Sequence, residues 1–259
     1  MRLPLIAVLV LCAARLSAAI TSDTLEYDAD GTTCSGTLAF DDSWTTPHPA
    51  ILVAHDWMGN TENSQGHARD LVKLGYVALA VDVYGKGVRP ADAGEAGKLA
   101  GTYKGDRRLM RSRMAAGLKA LLATGKADPK KVGATGYCFG GTCVLELARS
   151  GAPLLGVVTF HGGLATPTPE DAKNITGKVL VLHGADDPFV KPEEVAAFEA
   201  EMRAAKVDWQ VVLYSKAVHS FTNTKVGSDP SKGQAYNPEA DRRSWLAMTN
   251  FFTEVFAAP

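Results

Sequence analysis

The sequence predicts an α/β fold, with a mainly parallel central sheet, helices on both faces and an antiparallel strand pair at its N-terminal end. Three observations predict it. Short continuous apolar runs, such as Ala50-Ile51-Leu52-Val53-Ala54 and Val179-Leu180-Val181-Leu182, read as strands buried on both faces. Segments of helical period separate them, which implies crossover connections and a parallel sheet. The chain has 259 residues, of which 46% are hydrophobic and 21% charged, enough for one well-buried domain over 20–259 without repeats or low-complexity linkers.

The elements follow in order. Met1-Arg2, an apolar run over 3–14 and the small residues Ser17-Ala18-Ala19 form the pattern of a signal peptide over 1–19, cleaved near Ala18 or Ala19. The run is too short to span a bilayer comfortably and Arg15 ends it, so the expectation is an exported protein, periplasmic or secreted, without stable membrane insertion after cleavage. Strands at 24–27 and 33–40 pair antiparallel around a turn at Asp28-Ala29-Asp30-Gly31. After a polar loop comes the strand at 50–54, then a helix over 66–74 and a strand at 76–81. Helices over 91–103 and 106–123 precede a short strand at 132–135 and the helix after it. Strands at 155–160, 179–182 and 211–214, a helix over 193–205 and a closing helix over 238–256 complete the chain.

The chemistry concentrates at Gly136-Tyr137-Cys138-Phe139-Gly140-Gly141, between a strand and a helix. Such a turn has the form Gly-x-nucleophile-x-Gly, with cysteine at the tip. Glycines are required because neighbouring Cβ atoms would collide with strand and helix. The tip lies at a helix N-terminus, where backbone N–H groups favour a thiolate or a developing oxyanion. Two later strands end in the residues that a nucleophile needs: Gly184-Ala185-Asp186-Asp187-Pro188 and Val218-His219-Ser220-Phe221. Asp186 and Asp187 compete as the acid; the spacing from Gly184, with Pro188 following, favours Asp187. His183, His161 and His55 also end core strands, where they either pack or line a pocket, and the same choice holds for Trp57 and Tyr84. The six histidines show no metal spacing, and no cofactor motif is present, so neither a metal nor a cofactor is expected. Arg107, Arg108, Arg111 and Arg113 read as the solvated face of a helix. A net charge of −1 without a basic block excludes nucleic acid as an expected partner. The mature chain keeps Cys34, Cys138 and Cys143, an odd number that implies a free thiol, with Cys34 and Cys143 read as core residues.

With these residues in place, the chain resembles the dienelactone hydrolase family of α/β-hydrolases, through the Cys138 elbow, the 184–190 segment, His219-Ser220-Phe221 and Ala80-Val81-Asp82-Val83-Tyr84-Gly85. The order nucleophile, acid, histidine is that of α/β-hydrolases. The resemblance implies the α/β-hydrolase fold and a triad of Cys138, His219 and Asp187. It also implies an acidic group near the thiol at Asp56, where the family has glutamate. The expected chemistry is acyl transfer from a small-molecule ester or lactone to water through an acyl-thioester. The backbone N–H groups of Phe139 and Trp57 form the oxyanion hole. Esters suit a thiol nucleophile better than amides, because the alkoxide leaves without strong protonation. Where the family holds a carboxylate with arginines, this chain has Lys86 and Asn223. That departure argues against dienelactone itself as substrate and for neutral esters or lactones being turned over at least as well. The remaining pocket candidates are Tyr84 and His161. An acyltransferase or thioesterase on the same site, or a non-catalytic thiol or binding protein on the same fold, are the alternatives. Oligomeric state is not legible.

Overall fold

The computed structural model describes residues 19–257, so the expected signal peptide, apart from Ala19, lies outside the described residues. One sheet of eight strands runs in the order β1-β2-β4-β3-β5-β6-β7-β8. β1 (Ile20–Ala29) and β2 (Thr32–Asp41) form the expected antiparallel hairpin, and β2 also runs antiparallel to β4 (Val77–Val81). From β4 onward every pairing is parallel, through β3 (His48–Ala54), β5 (Ala127–Tyr137), β6 (Gly156–Phe160), β7 (Lys178–Gly184) and β8 (Trp209–Tyr214).

The continuous apolar runs split by alternate residues between two cores, as the two-residue period of a strand requires. In β3, Ala50, Leu52 and Ala54 face one core, and Ile51 and Val53 face the other. The first core packs under α2 (Ala93–Gly105), α3 (Arg107–Ala123), α4 (Phe139–Arg149) and α5 (Pro192–Ala205). The second packs under α1 (Glu62–Val72) and α6 (Pro238–Ala257). Helix starts follow capping chemistry: Asp92 accepts from the Glu95 N–H and Asp106 from the Leu109 N–H, each at 2.9 Å.

One expectation fails. Of the four arginines read as a solvated face, only Arg108 is exposed. Arg113 is buried and donates to the Ala29 carbonyl and the Thr32 hydroxyl, both at 2.7 Å. Arg111 bridges Glu146 and Asp171, each at 2.7 Å. Arg107 turns toward the C-terminal edge of the sheet. Arginine stems pack as apolar surface, so their charge alone does not mark an outer face.

Candidate active site

Cys138, Asp187 and His219 follow β5, β7 and β8, and all three therefore meet at the C-terminal edge of the parallel strands. Cys138 has φ 55° and ψ −116°, a conformation that few L-residues adopt. The glycines around it make the turn possible. A Cβ on Gly136 would collide with the Gly140 carbonyl, and one on Gly140 with the Ala54 carbonyl. The Cys138 N–H donates to the Phe160 carbonyl at 3.0 Å, which anchors the elbow to β6.

His219 Nδ1 lies 2.8 Å from Asp187 Oδ2. Asp187 is buried, and its other oxygen accepts from the N–H groups of Phe189 at 2.8 Å and Val190 at 3.3 Å. Asp186 is exposed, so the structure brings Asp187 and not its neighbour to the histidine. Burial by itself would lower the His219 pKa. The hydrogen bond to Asp187, with the nearby Cys138 sulfur and the Asp187 charge, outweighs it and raises the value to about 10. Phe189, 60% exposed, sets its ring at right angles to the His219 imidazole at 5.4 Å. The histidine loop is held from outside: His219 N–H donates to the Gly233 carbonyl, and Ala235 N–H to the His219 carbonyl.

The first four N–H groups of a helix lack intrahelical partners, so Phe139 N–H at the start of α4 is available beside the thiol. Trp57 lies in the loop after β3, and among the described residues its N–H donates to no protein acceptor. Cys34 and Cys143 are free and buried, and burial raises both thiols; Cys138 is the more accessible thiol among the described cysteines.

Two cavities open from Cys138. One of 460 Å³ holds His219 and brings in Lys104, Arg107, Lys232 and Glu194. The other, of 380 Å³, holds Asp56, Asn63, His161 and Asn223. Trp57, Cys138, Ser220 and Gln234 line both. Asp56, His161 and Asn223 thus reach the site on the second side. Asp56 is held there by two donors, its oxygens accepting from Met58 N–H at 2.8 Å and from the Asn63 amide at 3.1 Å. His161 is buried, bonded through Nε2 to the Thr222 hydroxyl at 2.9 Å, and held neutral by burial and by the neighbouring His219.

Two expected pocket residues lie elsewhere. Lys86 is paired with Glu26 on β1 at 2.6 Å and lines neither cavity. The hairpin that the sequence predicts brings an acid to it, and the nearer ion pair takes the ammonium. Tyr84 is buried behind the loop after β3, with its hydroxyl donated to the Trp57 carbonyl at 3.0 Å. Sequence reasoning missed the cations of the larger cavity. They come from the last turn of α2 (Lys104), the start of α3 (Arg107) and the 230–234 loop (Lys232), and no motif joins these segments.

The arrangement can perform nucleophilic acyl transfer: a thiol, a histidine that shares its proton, a buried acid behind the histidine and two N–H groups beside the thiol. Comparisons with known proteins agree in kind. Residues 36–256 match the dienelactone hydrolase family. A solved structure of a dienelactone hydrolase-like promiscuous phosphotriesterase from metagenomic libraries is 43% identical, covering 93% of this chain and all of that one, with a TM-score of 0.88. A protein of Aquifex aeolicus, named as a candidate carboxymethylenebutenolidase, is 29% identical over 88% of this chain and 96% of its own length. An uncharacterized protein of Caenorhabditis elegans is 36% identical over 57% of this chain and 95% of its own.

Proposed function

The chain belongs to the dienelactone hydrolase family and is a lactone or ester hydrolase, and from that premise we propose that it works through a Cys138-His219-Asp187 triad and an acyl-thioester. The observation that carries this reading is the 2.8 Å contact of His219 with buried Asp187, in the cavity that His219 and Cys138 line together. Cys138 Sγ attacks the ester carbonyl, and the oxyanion accepts from Phe139 N–H and Trp57 N–H, each donor worth on the order of 3 kcal/mol. The His219 imidazolium gives its proton to the departing alkoxide. Neutral His219 then takes a proton from water, whose oxygen attacks the thioester and releases the acid and the thiolate. Asp187 holds the tautomer and stabilises the cation.

The charge of the larger cavity bears on the substrate. Arg107 donates to the Ala165 carbonyl at 3.1 Å and keeps a buried Nε without a partner. The one acid there, Glu194, is bound through Oε1 to the N–H groups of Leu164 and Ala165. Three cations against one acid favour a substrate arm that carries negative charge. This replaces the expectation built on Lys86. The test compares kcat/KM for a p-nitrophenyl hemiglutarate and its uncharged valerate counterpart at low and high salt. A preference for the anionic ester that fades with salt supports the reading, and equal, salt-independent rates contradict it.

The relative described as a promiscuous phosphotriesterase favours a second reading, in which the same thiolate also attacks neutral phosphotriesters. Release of p-nitrophenol from an aryl dialkyl phosphate, lost in Cys138→Ala, tests it. We further propose export, on the apolar run and small residues of 1–19. An N-terminus beginning at Ala19 or Ile20 in the protein recovered from outside the cytoplasm is the expected result.

A further inference from the structure

We infer that His55 is a positioning residue for the oxyanion hole, acting through the Asp56–Trp57 peptide. The inference rests on the reading of Trp57 N–H as an oxyanion donor. His55 directly follows β3 and is fully buried. Its two ring nitrogens have different partners. The Val83 N–H lies 3.2 Å from Nε2, and a backbone N–H can only donate, so Nε2 is the acceptor. The ring proton is therefore on Nδ1, which donates to the Asp56 carbonyl at 2.6 Å. Burial lowers the pKa of His55 and keeps the ring neutral, consistent with one donor and one acceptor.

The Asp56 carbonyl and the Trp57 N–H are the two ends of one planar peptide unit. The Asp56 oxygen accepts from His55 Nδ1–H at 2.6 Å and, at a longer 3.2 Å, from Gly59 N–H, and these donors fix the plane and with it the direction of the Trp57 N–H. They also polarise the unit. As negative charge develops on the substrate oxygen, the Trp57 N–H gives up more of its hydrogen's electron density, and the Asp56 oxygen becomes more negative. His55 Nδ1–H stabilises that change, as hydrogen bonds in series strengthen one another. The effect is greatest in the transition state and small for bound substrate, which is the condition for raising kcat.

The surrounding contacts hold the ring in place. Tyr84 and Phe139 pack against it with ring centres 4.7 and 5.9 Å away. Tyr84 also fixes the next peptide through its hydroxyl on the Trp57 carbonyl. Phe139 is itself the residue that supplies the other oxyanion donor. A neutral histidine buried without solvent contact, with both nitrogens committed and its donor aimed at the back of the oxyanion peptide, does more than fill the core.

The experiment compares His55→Phe, His55→Gln and His55→Asn with the wild type, with rates expressed per active site titrated by iodoacetamide. His55→Phe removes both hydrogen bonds and keeps a ring. His55→Gln moves the donor away from the Asp56 carbonyl. His55→Asn keeps an N–H at the Nδ1 position. The first two are expected to lose about 10–100-fold in kcat with KM changed by less than about twofold, and the asparagine variant to recover most of the loss. Inhibition by a substrate-like aldehyde, which forms a tetrahedral thiohemiacetal at Cys138, should weaken by the same factor as kcat. A purely structural role would lower the melting temperature without moving the ratio of aldehyde affinity to KM. If His55→Phe does not fold, the comparison of glutamine with asparagine stands in its place. Full kcat and aldehyde affinity in the glutamine or phenylalanine variant, or an asparagine variant as impaired as these, would overturn the inference. Turnover by the wild type without an acyl group on Cys138 would overturn the triad reading, and the His55 proposal with it.

Discussion

Cys138 is held in a backbone conformation that costs about 1–3 kcal/mol, and the surrounding glycines and the bond to Phe160 sustain it. Its partners divide sharply by burial. Asp187 is buried against His219, and Asp186 is exposed. We therefore expect Asp187→Asn to lower kcat by roughly 10³–10⁴-fold, since it removes the charge that stabilises the imidazolium, while Asp186→Asn stays within about twofold. Equal losses in esterase assays of the two variants would contradict this assignment. The raised pKa of His219 sets a pH dependence. A group that binds its proton more tightly when folded stabilises the protein fully below its ordinary value, here 6.5. That contribution declines as pH rises and is gone above about 10. The difference in urea midpoint between wild type and His219→Gln should shrink from pH 6 to pH 10. At this scale Cys138 and His219 were legible as residues of one cluster because glycine spacing and strand ends mark them. The choice of acid was legible only as a preference, because burial of one of two adjacent aspartates depends on how the loop folds. His55 was legible as a residue at a strand end, but not its use, which depends on a hydrogen bond that sequence does not encode.

At the scale of elements, the parallel strands were readable from their apolar runs, and the ends of elements less so. β1 extends four residues before and two beyond the expected 24–27, because Thr21, Ser22, Asp23 and Asp28 are polar and give no apolar alternation to read from sequence. α1 starts at Glu62 rather than at 66, since its first turn is polar and Asn63 is spent on Asp56. The site depends on one tertiary clamp among these elements. Arg149 on α4 is fully buried, bonded to Glu201 at 2.8 Å, to Glu146 at 3.1 Å and to the Leu164 carbonyl at 2.8 Å. It ties α4, which carries the elbow, to α5 and to the loop after β6. Arg149→Met leaves Glu201 without its partner, while Glu146 keeps Arg111, and should cost about 3–5 kcal/mol in urea unfolding. A loss below about 1 kcal/mol would mean that water or rearranged side chains replace the clamp.

At the scale of the whole molecule, the sheet brings loops distant in sequence to one edge, and that is where sequence reading reached its limit. Lys86 stands at the position expected from the family resemblance, yet the β1–β2 hairpin draws it to Glu26. Lys104, Arg107 and Lys232 come from separate segments and converge on the cavity of 460 Å³. Their approach is a product of packing, not of a motif. Replacing all three by glutamine should abolish the salt-sensitive preference for anionic esters; persistence of that preference would exclude the cavity as its source. All of this presupposes that the acyl group passes through Cys138, and one measurement tests that most directly. The enzyme is mixed with an excess of p-nitrophenyl ester, quenched in acid within the first turnovers, digested and analysed by mass spectrometry. The account predicts one acyl group, on the peptide that contains Cys138, with no adduct and turnover lower by about 10⁴-fold or more in Cys138→Ala. Undiminished turnover in that variant, or an acyl group on another residue, would contradict it.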